Sequence, residues 1–335
     1  MFLSVSIPIY NAEQYIDRCI NSIVMQDFDD YELILVDDGS TDDSLKKCYS
    51  WKDKYPEIIK VVEKENTGSL FTRRVCLKES KGDYIYIIDA DDYLIDKRMF
   101  KEIYNTIMSN NCDLVIFNST SDREYKIGSK YPFESNCFVN LPELYDQIIV
   151  GDSLNSLWNK VFSRELVDWE NDYSGYANVT NGTDMFQVLP ILFSAKRVFY
   201  LDKLYYFYQF EDNKTSIVHK FKPTIYTSLK YNFLRLYELV EKNLAMDDST
   251  KAKLAVRYML IASTAAYKTR LLSKNEMKVA KGYLKEIGED EVFCDNYKVA
   301  KNHNLGIARK TIVYFLYHRF YSLLAFAINI SSIKK

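Results

Sequence analysis

Residues 84–92 read YIYIIDADD, an apolar β-forming run that ends in three carboxylates within four positions. The run predicts a buried strand. Carboxylates that close raise each other's pKa and repel unless a cation or hydrogen-bond donors compensate them. Something positive is therefore expected beside Asp89, Asp91 and Asp92. If the strand continues through this group, Asp89 and Asp91 share one face while Asp92 turns away or opens the loop.

Upstream, LSVSIPIY (3–10) and YELILVDDG (31–39) read as two more buried strands. Between them, Tyr15, Ile16, Cys19, Ile20, Ile23 and Val24 fall on one helical face. STDDSLKKCYSWKDKY (40–55) opens with capping residues, IKVVEKEN (59–66) is a third strand, and SLFTRRVCLKES (69–80) is a helix stopped at Gly82. Downstream, DKRMFKEIYNTIMSN (96–110) is helical and CDLVIFNS (112–119) is a fifth strand. The alternation predicts an α/β fold: a mostly parallel sheet with helices on both faces. Ligands bind at the carboxyl ends of such strands, where Asp37, Asp38 and the DADD group gather.

Residues 119–141 read as loop with short strands, and LWNKVFSREL (157–166), TDMFQVLPILFSA (183–195) and RVFYLDKLYYFYQ (197–209) as ordered segments. Beyond residue 216 the pattern is helical to the end, which divides the chain into an α/β domain, 1–215, and a helical domain, 216–335. The first carries 23 Lys and Arg against 36 Asp and Glu, and the second, from Ile217 on, 21 against 10. An acidic first part argues against nucleic-acid binding, whereas a basic tail suits an anionic membrane surface. The last segment reads as one helix, TIVYFLYHRFYSLLAFAINI (311–330). His318 and Arg319 at its centre argue against a membrane span. Flanking Arg309, Lys310, Lys334 and Lys335 suit a helix lying in the interface, with packing on neighbouring helices as the alternative. The start lacks a signal-peptide pattern, so a cytoplasmic protein, peripheral on the inner face of the membrane, is expected. Six scattered Cys without a CxxC pair point to reduced thiols rather than zinc or disulfides.

SIPIYNAEQYIDRCINSIVMQ, ELILVDDGSTDDS, ENTGSLFTRR, GDYIYIIDADD and LWNKVFSREL, in that order, resemble the inverting family-2 glycosyltransferases of the GT-A (Rossmann-like) fold, over roughly residues 1–210. The resemblance implies a nucleoside-diphosphate-sugar donor, a UDP-sugar first among them. It assigns Pro8 and Tyr10 to the uracil pocket, although IPIYN also reads as a plain strand-to-helix turn. Gly39 permits the sharp turn after VDD and Ser40 or Thr41 caps the next helix, which leaves Asp37 and Asp38 unexplained. By resemblance Asp38 contacts the pyrimidine ring. Asp89, Asp91 and Asp92 become the motif for metal and diphosphate, so the missing cation is Mn²⁺ or Mg²⁺, bridging protein and phosphate oxygens. Which carboxylate ligates directly stays open, with Asp91 and Asp92 the preferred pair. Arg73 or Arg74 in TRR either meets the diphosphate or is a solvated helix residue.

The family's general base falls on Asp184 in NGTDMF, where Thr183 stands in place of the usual Glu; a helix cap explains the same Asp locally. Glu170 and Asp172 are the next candidates. Trp158, Asn159 and Lys160 resemble a block on the acceptor side, in enzymes that build bacterial surface polysaccharide on a saccharide or lipid-linked acceptor, while Trp158 also reads as core. A phosphoacceptor receiver domain is shorter and carries its acidic pair on the first strand. A dehydrogenase is opposed by the lack of GxGxxG. A catalytically silent glycan-binding scaffold on the same fold is the remaining alternative.

Overall fold

The structure, a computed structural model, describes residues 1–171, 173–177, 179–209 and 221–333. Nine strands form one sheet: β1 (Leu3–Ile9), β2 (Tyr31–Asp37), β3 (Ile59–Glu63), β4 (Tyr84–Ile87), β5 (Tyr93–Leu94), β6 (Leu114–Thr120), β7 (Cys137–Phe138), β8 (Lys160–Ser163) and β9 (Val198–Phe207). Their order is β3-β2-β1-β4-β8-β6-β9-β5, with β7 on β9. The half containing β3, β2, β1 and β4 is parallel throughout. These strands are Val- and Ile-rich because helices cover both faces. The other half is mixed: β8 runs antiparallel between β4 and β6, β9 is parallel to β6, and β5 and β7 pair antiparallel with β9.

The helices of this part are α1 (Ile16–Val24), α2 (Ser44–Lys54), α3 (Ser69–Glu79), α4 (Met99–Asn110), α5 (Leu141–Val150) and α6 (Met185–Ser194). The apolar stripe of α1, including Ile16, Cys19, Ile20 and Ile23, lies in a core shared with Val5 and Ile7 of β1, Leu33 and Leu35 of β2 and Phe100 and Ile103 of α4. Burying each such large side chain stabilises the fold by about 1.5–3 kcal/mol. Cys19, Cys48, Cys76 and Cys112 are buried free thiols.

One difference from expectation matters for the site. β4 ends at Ile87, and residues 89–92 turn, with Asp92 N donating to Asp89 O at 3.2 Å. The expected continuation of the strand through DADD, with alternating faces, is therefore replaced by a turn that sends Asp92 inward.

The chain divides into two compact units. The first holds the sheet and the described parts of Met1–Tyr145, Ser153–Ala177 and 183–209; the second holds Asp146–Asp152, 179–182 and 221–333. The boundary expected near residue 216 lies outside the described residues. The second unit is helical: α7 (Ile225–Asn243), α8 (Asp248–Tyr267), α9 (Met277–Glu289), α10 (Glu291–Ala300), α11 (Ile307–Tyr317) and α12 (Tyr321–Ile333). Its core includes Tyr226, Phe233 and Tyr258, with the Tyr226 and Tyr258 hydroxyls 2.8 Å apart and the Phe233 and Tyr258 rings at 4.6 Å. The single last helix expected from the sequence is two, broken where Arg319 adopts a left-handed φ of 64°. Among the described residues no helix is long and apolar enough to cross a membrane; Lys334 and Lys335 lie outside them.

Candidate active site

The carboxyl ends of β1 and β2 are locked together, Asp38 N donating to Ile9 O at 2.8 Å. The turn that follows needs Gly39, whose φ is +69° and whose missing Cβ would sit 3.0 Å from Asn66 N. Asp37 is buried and accepts from Ser40 N at 3.0 Å, so it shapes this turn. Asp38, also buried, accepts from Thr67 N at 2.9 Å and Gly68 N at 3.0 Å and pairs with Lys64. In this conformation it closes the 64–68 loop, and a pyrimidine contact asks its carboxylate to accept one bond more. Pro8 is half-buried and Tyr10 is exposed at the same edge, beside Asn11, whose side chain accepts from Thr41 N at 2.8 Å.

The three DADD carboxylates have different surroundings. Asp92 is buried at 1% exposure, where it accepts from Gln209 N at 2.7 Å and from the Tyr206 hydroxyl. Burial, then Asp91 and Asp89, push its pKa well above the usual carboxylate range. Expected as half of a metal-binding pair, Asp92 instead faces the core, because the turn carries it there. Asp91 is half-buried, and its backbone carbonyl accepts from Arg18 Nη2 at 3.1 Å. Asp89 accepts from Arg73 Nη2 at 3.0 Å.

Arg73 is the centre of the arrangement. From buried α3 it also reaches Asp184 Oδ1 through Nη1 at 2.8 Å and donates to the Thr183 hydroxyl at 3.1 Å. Its side chain is 10% exposed, those of Asp89 and Asp184 26% and 22%. Burial opposes its charge, but Asp184 and Asp89 hold it firmly protonated. The guanidinium expected at the diphosphate is thus committed to two carboxylates and a hydroxyl. Arg74, the other candidate, donates to Trp169 O and packs against the Trp169 and Tyr173 rings, and is likewise buried rather than solvated.

Asp184 occupies the N-cap position of α6 without a side-chain cap bond. The helix-cap explanation therefore fails here, since the carboxylate turns to Arg73. Burial raises its pKa, and Arg73 is the largest opposing influence. Thr183 hydrogen-bonds the Ser69 hydroxyl at 3.0 Å and Gln187 Nε2 donates to Leu70 O at 2.9 Å, so both ends of this turn are pinned to α3. Glu170 is exposed, and Asp172 lies outside the described residues.

Trp158 stacks on Tyr206 at 4.5 Å and Tyr208 at 5.8 Å. Asn159 donates to the Tyr131 hydroxyl, and Lys160 Nζ donates to Ser156 O and Asn159 Oδ1, each at 2.7 Å. Asn159 and Lys160 are fully buried, so neither side chain is exposed at a surface. Burial pushes the Lys160 ammonium down to about 7, with Asp184 opposing. Sequence reasoning missed Tyr208, whose phenol is pushed up to about 12 by burial and then by Asp92, Asp91, Asp89 and Asp184. It also missed Tyr206 and Gln209, which hold Asp92; the aromatic run YYFYQ at 205–209 was their only signal. Among the described residues no three His, Cys, Asp or Glu side chains converge as a metal site.

Residues 4–165 match the family model described as Glycosyl transferase family 2. Glycosyltransferase GlyA of Streptococcus pneumoniae is 27% identical over 228 residues, 64% of this chain and 32% of that protein. Glycosyltransferase EpsJ of Bacillus subtilis is 28% identical over 231 residues, 67% and 65%. Poly(ribitol-phosphate) beta-glucosyltransferase of Bacillus spizizenii is 36% identical over 119 residues, 35% and 19%. The matches span less than two thirds of each relative. In three dimensions the crystal structure of Staphylococcus aureus TarS 1–349 in complex with UDP-GlcNAc aligns at a TM-score of 0.70 and 19% identity, covering 100% of this chain and 92% of that one. That likeness shows a shared GT-A fold.

Proposed function

We propose, from the match of residues 4–165 to glycosyl transferase family 2, that the chain is a metal-dependent inverting enzyme of that family. It moves a sugar from a UDP-linked donor to a glycan or lipid-linked saccharide in bacterial surface-polysaccharide assembly. The observation that carries this reading is the Asp89–Arg73–Asp184 bridge, which joins the acidic strand end to a carboxyl group whose pKa burial raises and Arg73 opposes. The UDP and UDP-GlcNAc complexes of TarS support the donor class. Relatives named for poly(ribitol-phosphate) support a polymer as acceptor.

In this reading the catalytic domain ends near residue 215, and Pro8, Tyr10 and Asp38 receive the uracil. Asp184 takes the proton of the acceptor hydroxyl while that oxygen bonds to the anomeric carbon from the face opposite the diphosphate. The bond from that carbon to the phosphate oxygen breaks, and its electron pair leaves with UDP. One displacement inverts the anomeric configuration. Arg73 acts through Asp184, drawing its pKa down against the effect of burial; Trp158 and Tyr208 offer aromatic faces to a sugar ring.

A bound divalent cation, Mn²⁺ or Mg²⁺, supplies positive charge to the departing diphosphate. The chain's own ligand would be Asp91, which is half-buried at the turn after β4, whereas Asp92 is buried among Tyr206 and Gln209. One carboxylate completed by phosphate oxygens and water fits such ions. The mannosyltransferase PcManGT from Pyrobaculum calidifontis, a structure with GDP-Man and Mn²⁺ (TM-score 0.52, 15% identity), is in keeping with this. A thermal-shift panel of UDP-, GDP- and dTDP-sugars with and without Mn²⁺ tests the reading. Stabilisation by UDP-sugars that depends on Mn²⁺ is expected; no shift with any of them contradicts it. A silent scaffold would bind UDP-sugar without releasing UDP.

A further inference from the structure

The helices α11 and α12 show one face to the second unit's core and an apolar face to solvent. Val313, Leu316, Tyr321, Leu324 and Ala325 are buried, while Ile307, Leu323 and Phe326 are 89%, 59% and 60% exposed and Tyr314 and Phe320 are exposed beside them. Leu323 and Phe326, three residues apart on α12, share one helical side, and exposed large apolar side chains grouped in this way mark an interaction surface. Gly288 on α9 makes the packing possible, since a Cβ there would meet Leu316 O and the Tyr321 ring at 2.6 Å.

Charge decides what fits the face. Residues 296–335 contain no Asp or Glu and seven Lys or Arg, among them Arg309, Lys310 and Arg319, which are exposed on this hairpin. A second copy seated face to face would bring like charges together, at a cost. A lipid surface with anionic headgroups takes apolar side chains into its acyl boundary and basic ones at its rim. With 11 and 13 residues, α11 and α12 are each too short to span the bilayer. We propose that the α11–α12 hairpin lies on an anionic membrane, inserting Leu323 and Phe326 and setting Arg309 and Lys310 among the headgroups. This goes beyond the transfer reaction and does not depend on it.

The test is flotation of the full chain with phosphatidylcholine vesicles, with and without phosphatidylglycerol, at low and high salt. The chain should float with phosphatidylglycerol vesicles and be released by salt. Leu323→Glu with Phe326→Glu should weaken vesicle binding by about tenfold or more, and Arg309→Gln with Lys310→Gln by about fivefold per charge removed. All four side chains are exposed, so thermal unfolding and UDP binding should match the wild type in both pairs. Absence of flotation, or flotation that neither pair weakens, overturns the proposal. So does light scattering that finds a dimer dissociated by Leu323→Glu with Phe326→Glu, which would assign the face to a second copy.

Discussion

Arg73 Nη1 lies 2.8 Å from Asp184 Oδ1, across 111 positions of sequence, while the same guanidinium holds Asp89. Two carboxylates share one cation in a partly buried place, so removing it leaves both without a counter-charge. Arg73→Met should destabilise the protein by about 3 kcal/mol, the low end for breaking a buried pair, read as a lower urea midpoint. It also removes the main influence that lowers the Asp184 pKa. The acid limb of the turnover profile should therefore move to higher pH, with Arg73→Lys intermediate. An unmoved limb would mean that Arg73 is structural only.

Asp91 and Asp92, adjacent in sequence, should separate by mutation. Asp91→Asn should weaken Mn²⁺-dependent UDP binding by about tenfold or more, as expected for losing a charge-assisted contact. Asp92→Asn should leave it near normal. Asp92→Ala should instead cost about 1–3 kcal/mol of stability, because the Tyr206 hydroxyl and Gln209 N–H lose their buried acceptor. Calorimetry in Mn²⁺ and in EDTA reads the first effect. If both Asn variants lost UDP equally, Asp92 would have to leave the core to bind metal.

Lys160 makes stability depend on pH in a predictable sense. Its pKa in the folded protein is about 7 against an ordinary 10.5, so between these values the unfolded chain binds more protons. Stability contributed by this group therefore rises as pH rises from about 7 toward 10.5. Lys160→Met should remove that rise, so the melting temperature of the wild type should gain on the variant across this range. A constant difference would contradict the buried, partly neutral amine.

Gly288→Ala probes the packing that holds up the last hairpin. Its Cβ would sit 2.6 Å from a backbone oxygen, which has nowhere to move cheaply. A loss of about 1–3 kcal/mol is expected from overpacking, measured by urea unfolding.

The parallel half of the sheet was legible because four apolar runs, β1 to β4, alternate with segments of helical period. The strand β8 was not, since four residues carry little pattern and its antiparallel places beside β4 and β6 are set by distant partners. Asp37, Asp38, Asp89, Asp91, Arg73 and Asp184 were readable as a group of charges that needed partners. Which charge meets which was not, because Arg73 finds Asp184 only through the packing of α3 against the start of α6. The inward turn of Asp92 depends on Tyr206 and Gln209, more than a hundred residues away. The helix break at Arg319 is a left-handed backbone choice that side-chain period does not reveal.

Release of UDP from a UDP-sugar by wild type and Asp184→Asn, with UDP affinity measured in parallel, tests the central claim most directly. A positioned base contributes about 10² to 10⁴ in rate, and the substitution removes the base while keeping its size. Part of its ion pair with Arg73 is also lost, so stability should fall modestly. The account predicts UDP binding near normal and turnover lower by at least about 10²-fold. Near-normal turnover in Asp184→Asn, or no UDP release by the wild type, would contradict it.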